Sequence, residues 1–196
     1  MSNLSHLWPP VLSVLAVLAW LPATALGQND PARFDAASRT RGLGGAWGHS
    51  WRLFGLGRTR TDSSFVAFHP QMGWFVTDRL ELYGEGTLLV YTEPAHAVAG
   101  GLVGLAGRLH LWNDRGWTPY VTLGGGILWT SLDAREIDRR FNFQILYGLG
   151  VRLLPRRGPG WIIEARNHHI SNAGTAGENF GINTATVMAG VQWILR

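Results

Sequence analysis

The chain has 196 residues, with 17 basic and 13 acidic side chains and a formal net charge of +4. It contains no cysteine, which excludes a disulfide framework and any thiolate metal site. Every basic residue is an arginine, and the arginines are scattered without any recognised nucleic-acid-binding motif, so nucleic acid is not an expected partner.

Taken in chain order, the first element is an apolar run from Val11 to Leu21, too short to cross a bilayer as a helix. Ala25-Leu26-Gly27 then offers a small-x-small cleavage site before Gln28. Residues 1–27 read as a signal peptide. Its n-region is weak, with His6 and the amino terminus as the only positive groups, and an uncleaved anchor stays open. Residues 28–40 form a polar lead-in, and 41–196 one β domain.

About eight β segments follow, at 41–53, 63–76, 79–92, 97–113, 118–130, 140–154, 160–171 and 181–195. Turn signals separate them, among them Asn113-Asp114-Arg115-Gly116 and Arg156-Arg157-Gly158-Pro159-Gly160. The connection at 131–139 is long and charged, as extracellular loops of membrane barrels are. From Phe141 to Leu153, odd positions are all apolar while even positions include Asn142, Gln144 and Arg152. Glu81, Glu85 and Thr87 alternate in the same way with Leu82, Leu88 and Val90. Segments this long, alternating throughout, exceed the usual strand of about 5–6 residues. The expected fold is all-β, an eight-stranded antiparallel transmembrane barrel with an apolar exterior and a polar or small interior. Gly84, Gly86, Gly148 and Gly150 would relieve crowding in its narrow lumen, and side chains would fill that lumen.

The chemistry concentrates at Asn167-His168-His169-Ile170-Ser171-Asn172-Ala173-Gly174. Strand side chains repeat every second residue, so His169 and Ser171 share a face, about 6.6–6.8 Å apart along the strand. Trp161, Ile163 and Ala165 set the apolar face, and the same phase carries Asn167, His169 and Ser171 to the lipid side. His168 goes inward, into a polar network with Glu164 or Arg166. A base and a hydroxyl on one face are the elements of acyl transfer when a third group orients the imidazole. They are also costly against lipid unless they have a task or a partner. In the last strand, Asn183 shares its phase with Ala185, Val187, Ala189, Val191, Trp193 and Leu195. A hairpin joined by residues 172–180 would bring its amide oxygen near His169; the alternative is that Asn183 simply begins the strand.

His169-Ile170-Ser171-Asn172-Ala173-Gly174, followed by Asn179-Phe180-Gly181-Ile182-Asn183, resembles the signature of the lipid A 3-O-deacylase family (PagL-like, acyloxyacyl hydrolase-related). Glu81-Leu82-Tyr83-Gly84-Glu85-Gly86 and the stretch from Trp117 to Ile127 are similar to it as well, and the resemblance covers most of 63–196. It implies an outer-membrane barrel of a Gram-negative cell that hydrolyses the 3-linked hydroxyacyl ester of lipid A within lipopolysaccharide. The family's histidine matches His169, its serine nucleophile Ser171, and the following asparagine Asn172, a candidate donor to the oxyanion. Its third catalytic residue is a glutamate, and Asn183 stands at that position. Glu178 in the connecting loop is the alternative acid, since Glu164 should point the other way.

The expected mechanism is a serine esterase without metal or organic cofactor. His169 takes the proton of Ser171, whose oxygen attacks an ester of a membrane-embedded glycolipid. Arg135, Arg139 and Arg140 in the long loop would suit lipid phosphates; a solvated charged loop and a GC-rich genome account for them more simply. The rivals are a non-catalytic structural or lipid-binding barrel and, more weakly, a lipid A palmitoyltransferase. The terminal Leu195-Arg196 departs from the aromatic ending of many outer-membrane barrels.

Overall fold

The computed structural model describes residues 34–51, 61–156 and 158–195. The signal peptide read at 1–27, and residues 28–33 of the lead-in, lie outside them.

Eight strands follow one another: β1 (Arg39–Ser50), β2 (Ser64–Phe75), β3 (Leu80–Glu93), β4 (Ala95–His110), β5 (Trp117–Thr130), β6 (Phe141–Leu153), β7 (Gly160–Ser171) and β8 (Ile182–Leu195). Each pairs antiparallel with its sequence neighbours, and β1 closes on β8 from Arg39↔Leu195 to Ser50↔Thr184. Closure leaves no free edge, which a sheet in hydrocarbon requires, because an unpaired N–H or C=O there has no water to turn to. β1 opens at Arg39, two residues inside the stretch read as lead-in.

The alternation sorts the faces. Leu105, Leu123 and Leu149 are each more than 60% exposed, at 64%, 63% and 66%. In water such a belt would be a defect; on a closed barrel it is the surface that meets lipid. Side chains of the opposite phase fill the lumen. Glu81 accepts from Thr40 Oγ1 and Arg152 Nη2, each at 2.5 Å. Arg166 grips Glu85 through Nη1 at 3.0 Å and Nη2 at 2.8 Å. Glu164 accepts from Tyr120 Oη at 2.9 Å, and the Arg108 guanidinium lies 3.9 Å from the Tyr83 ring centre. The three carboxylates Glu81, Glu85 and Glu164 thus face the three guanidiniums Arg108, Arg152 and Arg166, so the buried charges balance.

Two expectations about the lumen need correction. Gly148 and Gly150 do point inward, where added Cβ atoms would meet Arg166 and the Tyr120 ring. Gly84 and Gly86, however, share the phase of Leu82 and Leu88 and lie on the outer wall, with Gly86 beside Pro70. His168 is inward, yet its partner is neither Glu164 nor Arg166. Its Nε2 lies 2.9 Å from Gln144 Oε1 on the adjacent strand β6.

Candidate active site on the outer wall

The connections 76–79, 111–116 and 154–159 lie at one end of the barrel. The long connections 131–140 and 172–181 lie at the other, together with the one-residue β3–β4 turn at Pro94, and the long ones mark it as the extracellular end by the usual rule. β7 and β8 reach that end with His169 directly opposite Asn183. Opposite residues of an antiparallel pair share a face, so a contact follows from register alone. His169 Nδ1 lies 3.0 Å from Asn183 Oδ1. Ser171 is two residues further along the same face of β7, and both His169 and Ser171 are half-buried. On β6 the facing residues are Phe143, Ile145 and Tyr147, opposite Ser171, His169 and Asn167. An apolar strand therefore flanks the polar cluster on its lipid side.

Two further residues join the cluster. Asn167 shares the outward phase of His169 but is buried, because Trp51 covers it. Trp51 Nε1 donates to Asn167 Oδ1 at 2.8 Å, and Asn167 Nδ2 donates to Asn183 Oδ1 at 3.2 Å. The backbone N–H of Trp51 also donates to Asn183 O at 3.0 Å, extending the β1–β8 ladder. The strand phase in the sequence already puts Asn167 on the outer face with His169; its contact with Asn183 comes only from the β7–β8 pairing. Trp51 has no such signal, since it reaches the site only through barrel closure.

The other residues singled out in the sequence have different placements. Asn172 is fully buried at the root of the β7–β8 connection, and its Nδ2 donates to Ile137 O at 2.9 Å and to Glu178 O at 2.8 Å. Its Oδ1 accepts from Gly174 N at 2.8 Å. Both amide hydrogens are thereby committed to the loop, so the side chain is not poised to donate to an oxyanion. Glu178 is not brought to His169; its Oε1 accepts from Arg135 Nε and Nη2 at 2.8 and 2.5 Å in an exposed pair. Glu164 turns into the lumen. Arg139 Nη1 donates to Thr175 O and Oγ1, and Arg140 joins the ladder through its carbonyl.

Loop 131–139 supports the site from above. Glu136 O accepts from Phe180 N and Gly181 N, each at 3.1 Å. Its carboxylate accepts from Thr61 N and Thr61 Oγ1, each at 2.6 Å. Gly181 has a φ of 68°, and a Cβ there would run into the His169 ring. Among the described residues, no group of three or more histidines and carboxylates is placed to hold a metal ion.

The family model for lipid A 3-O-deacylase (PagL) matches residues 38–192, a span that reaches all eight strands, β8 as far as Gln192, and takes in the whole outer-wall cluster. Among solved structures, the outer membrane enzyme PagL superposes with a TM-score of 0.56 at 16% identity, over 79% of this chain and 99% of that one. Neisserial surface protein A gives 0.53 at 12% identity, over 79% and 94%. These identities carry the barrel fold alone. No curated protein matches the chain.

Proposed function

Because the chain belongs to the lipid A 3-O-deacylase (PagL) family, we propose that it is a deacylase of the Gram-negative outer membrane that hydrolyses the 3-O-linked 3-hydroxyacyl ester of lipid A. The observation that carries this reading is the 3.0 Å contact between His169 Nδ1 and Asn183 Oδ1 on the lipid-facing wall, one strand step from Ser171. Polar groups against hydrocarbon are explained when the substrate is itself a membrane lipid.

In the proposed reaction, His169 Nε2 takes the proton of Ser171 as its oxygen bonds to the ester carbonyl carbon. The tetrahedral oxyanion is held by backbone N–H groups of the turn after Ser171. Ala173 N–H is the available donor there, since Gly174 N and Thr175 N are committed to Asn172. Collapse of the intermediate breaks the bond to the sugar 3-oxygen, which leaves with the proton from His169. Water then attacks the acyl-serine with His169 again as base, releasing the 3-hydroxy fatty acid and restoring Ser171. Asn183 holds the imidazole but stabilises the imidazolium less than a carboxylate would, so turnover is slower than in a glutamate-bearing relative.

The same asparagine favours a second reading, a non-catalytic lipid-binding relative. One experiment separates the two: mass spectrometry of lipid A from Gram-negative cells making the protein or its Ser171→Ala form. The deacylase reading expects loss of a single 3-hydroxyacyl chain with the natural protein and an intact lipid A with Ser171→Ala. Identical spectra would leave the non-catalytic barrel.

A further inference from the structure

Outward along β1 stand Arg39, Arg41, Leu43, Gly45, Trp47 and His49. At about 3.3 Å per residue and a tilt of about 35–45°, Arg39 and His49 lie about 25 Å apart along the barrel axis. That is about the height of the apolar band of such a barrel, so β1 crosses the band between these two residues. Arg39 is opposite Trp74, beside the connection 76–79, and therefore marks the periplasmic edge. Arg41 stands one outward step, about 5 Å, further into the membrane.

Apolar side chains flank the pair. Arg39 is opposite Trp74 on β2 and Leu195 on β8, and Arg41 is opposite Met72 and Trp193. Trp74 and Trp193 are 50% and 42% exposed, at the level where indoles sit between hydrocarbon and headgroups. Among the described residues, no carboxylate pairs with either guanidinium. The acidic residue nearest in the chain, Asp35, accepts from Ser38 Oγ at 2.5 Å. Arg79 and Arg115, in the turns of the same end, each have a carboxylate of their own, Asp78 at 4.0 Å and Asp114 at 3.9 Å. We propose that Arg39 and Arg41 form a binding site for the phosphate diester of a glycerophospholipid in the periplasmic leaflet.

Depth and charge both lead to this occupant. A guanidinium among hydrocarbon is costly, so in a bilayer the head of Arg41 is drawn back along its flexible stem toward the headgroups. It is thereby drawn to the level of Arg39, on a strand face where the two residues are about 6.6–6.8 Å apart. Two like charges at one level repel unless an anion lies between them. A phosphate diester supplies that anion, and a guanidinium grips its oxygens with paired N–H donors. The acyl chains then run along the apolar wall, past Leu43 and the Val191 opposite it on β8. Lipid A presents its phosphates at the other, extracellular edge. The inference is therefore independent of the deacylase reading.

The test titrates the refolded full-length protein in detergent micelles with phosphatidylglycerol, with phosphatidylcholine of the same chains, or with glycerol 3-phosphate. Native mass spectrometry counts the bound molecules. The natural protein is expected to hold one phosphatidylglycerol, and more tightly than phosphatidylcholine, whose choline cation offsets the phosphate charge. Arg39→Gln and Arg41→Gln should each weaken phosphatidylglycerol binding about five-fold, and together about 25-fold. Each single variant keeps one guanidinium, so the two carry the test if the pair fails to fold. Arg115→Gln removes the same charge from the same end and should leave the affinity unchanged. An equal loss in Arg115→Gln would assign the effect to net charge and overturn the site. Unchanged affinity in both single variants, or equal affinity for the two lipids, also overturns it. Displacement of the lipid by an equal concentration of glycerol 3-phosphate would make this a site for soluble anions and overturn the lipid assignment.

Discussion

His169 is held on two sides by different kinds of constraint. Asn183 fixes one ring nitrogen by hydrogen bonding, while Gly181 leaves the room that the opposite ring edge occupies. Gly181 has two reasons to be glycine: its φ of 68° is strained for any L side chain, and its missing Cβ is where the imidazole sits. Gly181→Ala is expected to lower thermal stability by about 1–2 kcal/mol. Deacylation should fall by more than that loss explains, because the ring is displaced from Ser171. Melting curves set beside initial rates on lipid A at a temperature where the variant is fully folded separate the two effects.

The β7–β8 connection is an element organised by Asn172. That one side chain closes the turn onto Gly174 N and ties it to Ile137 O in the neighbouring loop 131–139 and to Glu178 O. Glu136 completes the tie by holding Phe180 N and Gly181 N. A fully buried amide with three partners, two of them carbonyls left orphaned by its removal, costs far more to delete than an exposed ion pair. Asn172→Ala should therefore destabilise the connection by about 2–4 kcal/mol and expose it to protease. Arg135→Ala, which breaks only the exposed pair with Glu178, should cost about 1 kcal/mol or less. Limited proteolysis of both variants in lipid checks the contrast; equal sensitivity would mean that Asn172 does not organise the loop.

At the scale of the molecule, the barrel keeps two incompatible surfaces apart through one repeat. Leu123, in the middle of β5, faces lipid, while its neighbours Thr122 and Gly124 face the lumen. Leu123→Arg is expected to destabilise the folded barrel by about 2–4 kcal/mol, the cost of a cation on the lipid face near the bilayer midplane. Reversible urea unfolding in lipid vesicles measures it, and a change below about 1 kcal/mol would show that this face does not meet hydrocarbon.

The strands, their faces and the outward phase of His169, Ser171 and Asn183 were legible in the sequence, because successive Cβ atoms of a strand point to opposite sides whatever the partner strand is. The same local rule gives Gly84 and Gly86 the phase of Leu82, which puts them on the outer wall and not in the lumen. Partners across strands are a different matter. His168 meets Gln144, Asn172 meets Ile137, and Trp51 meets Asn167 at a separation of 116 residues. Each depends on the register in which neighbouring strands pair and on the closure of β1 against β8. Register is a property of the whole closed sheet, settled by the packing of every inward side chain at once. The sequence by itself determined which side of the wall each group occupies; only the tertiary structure decided which groups touch.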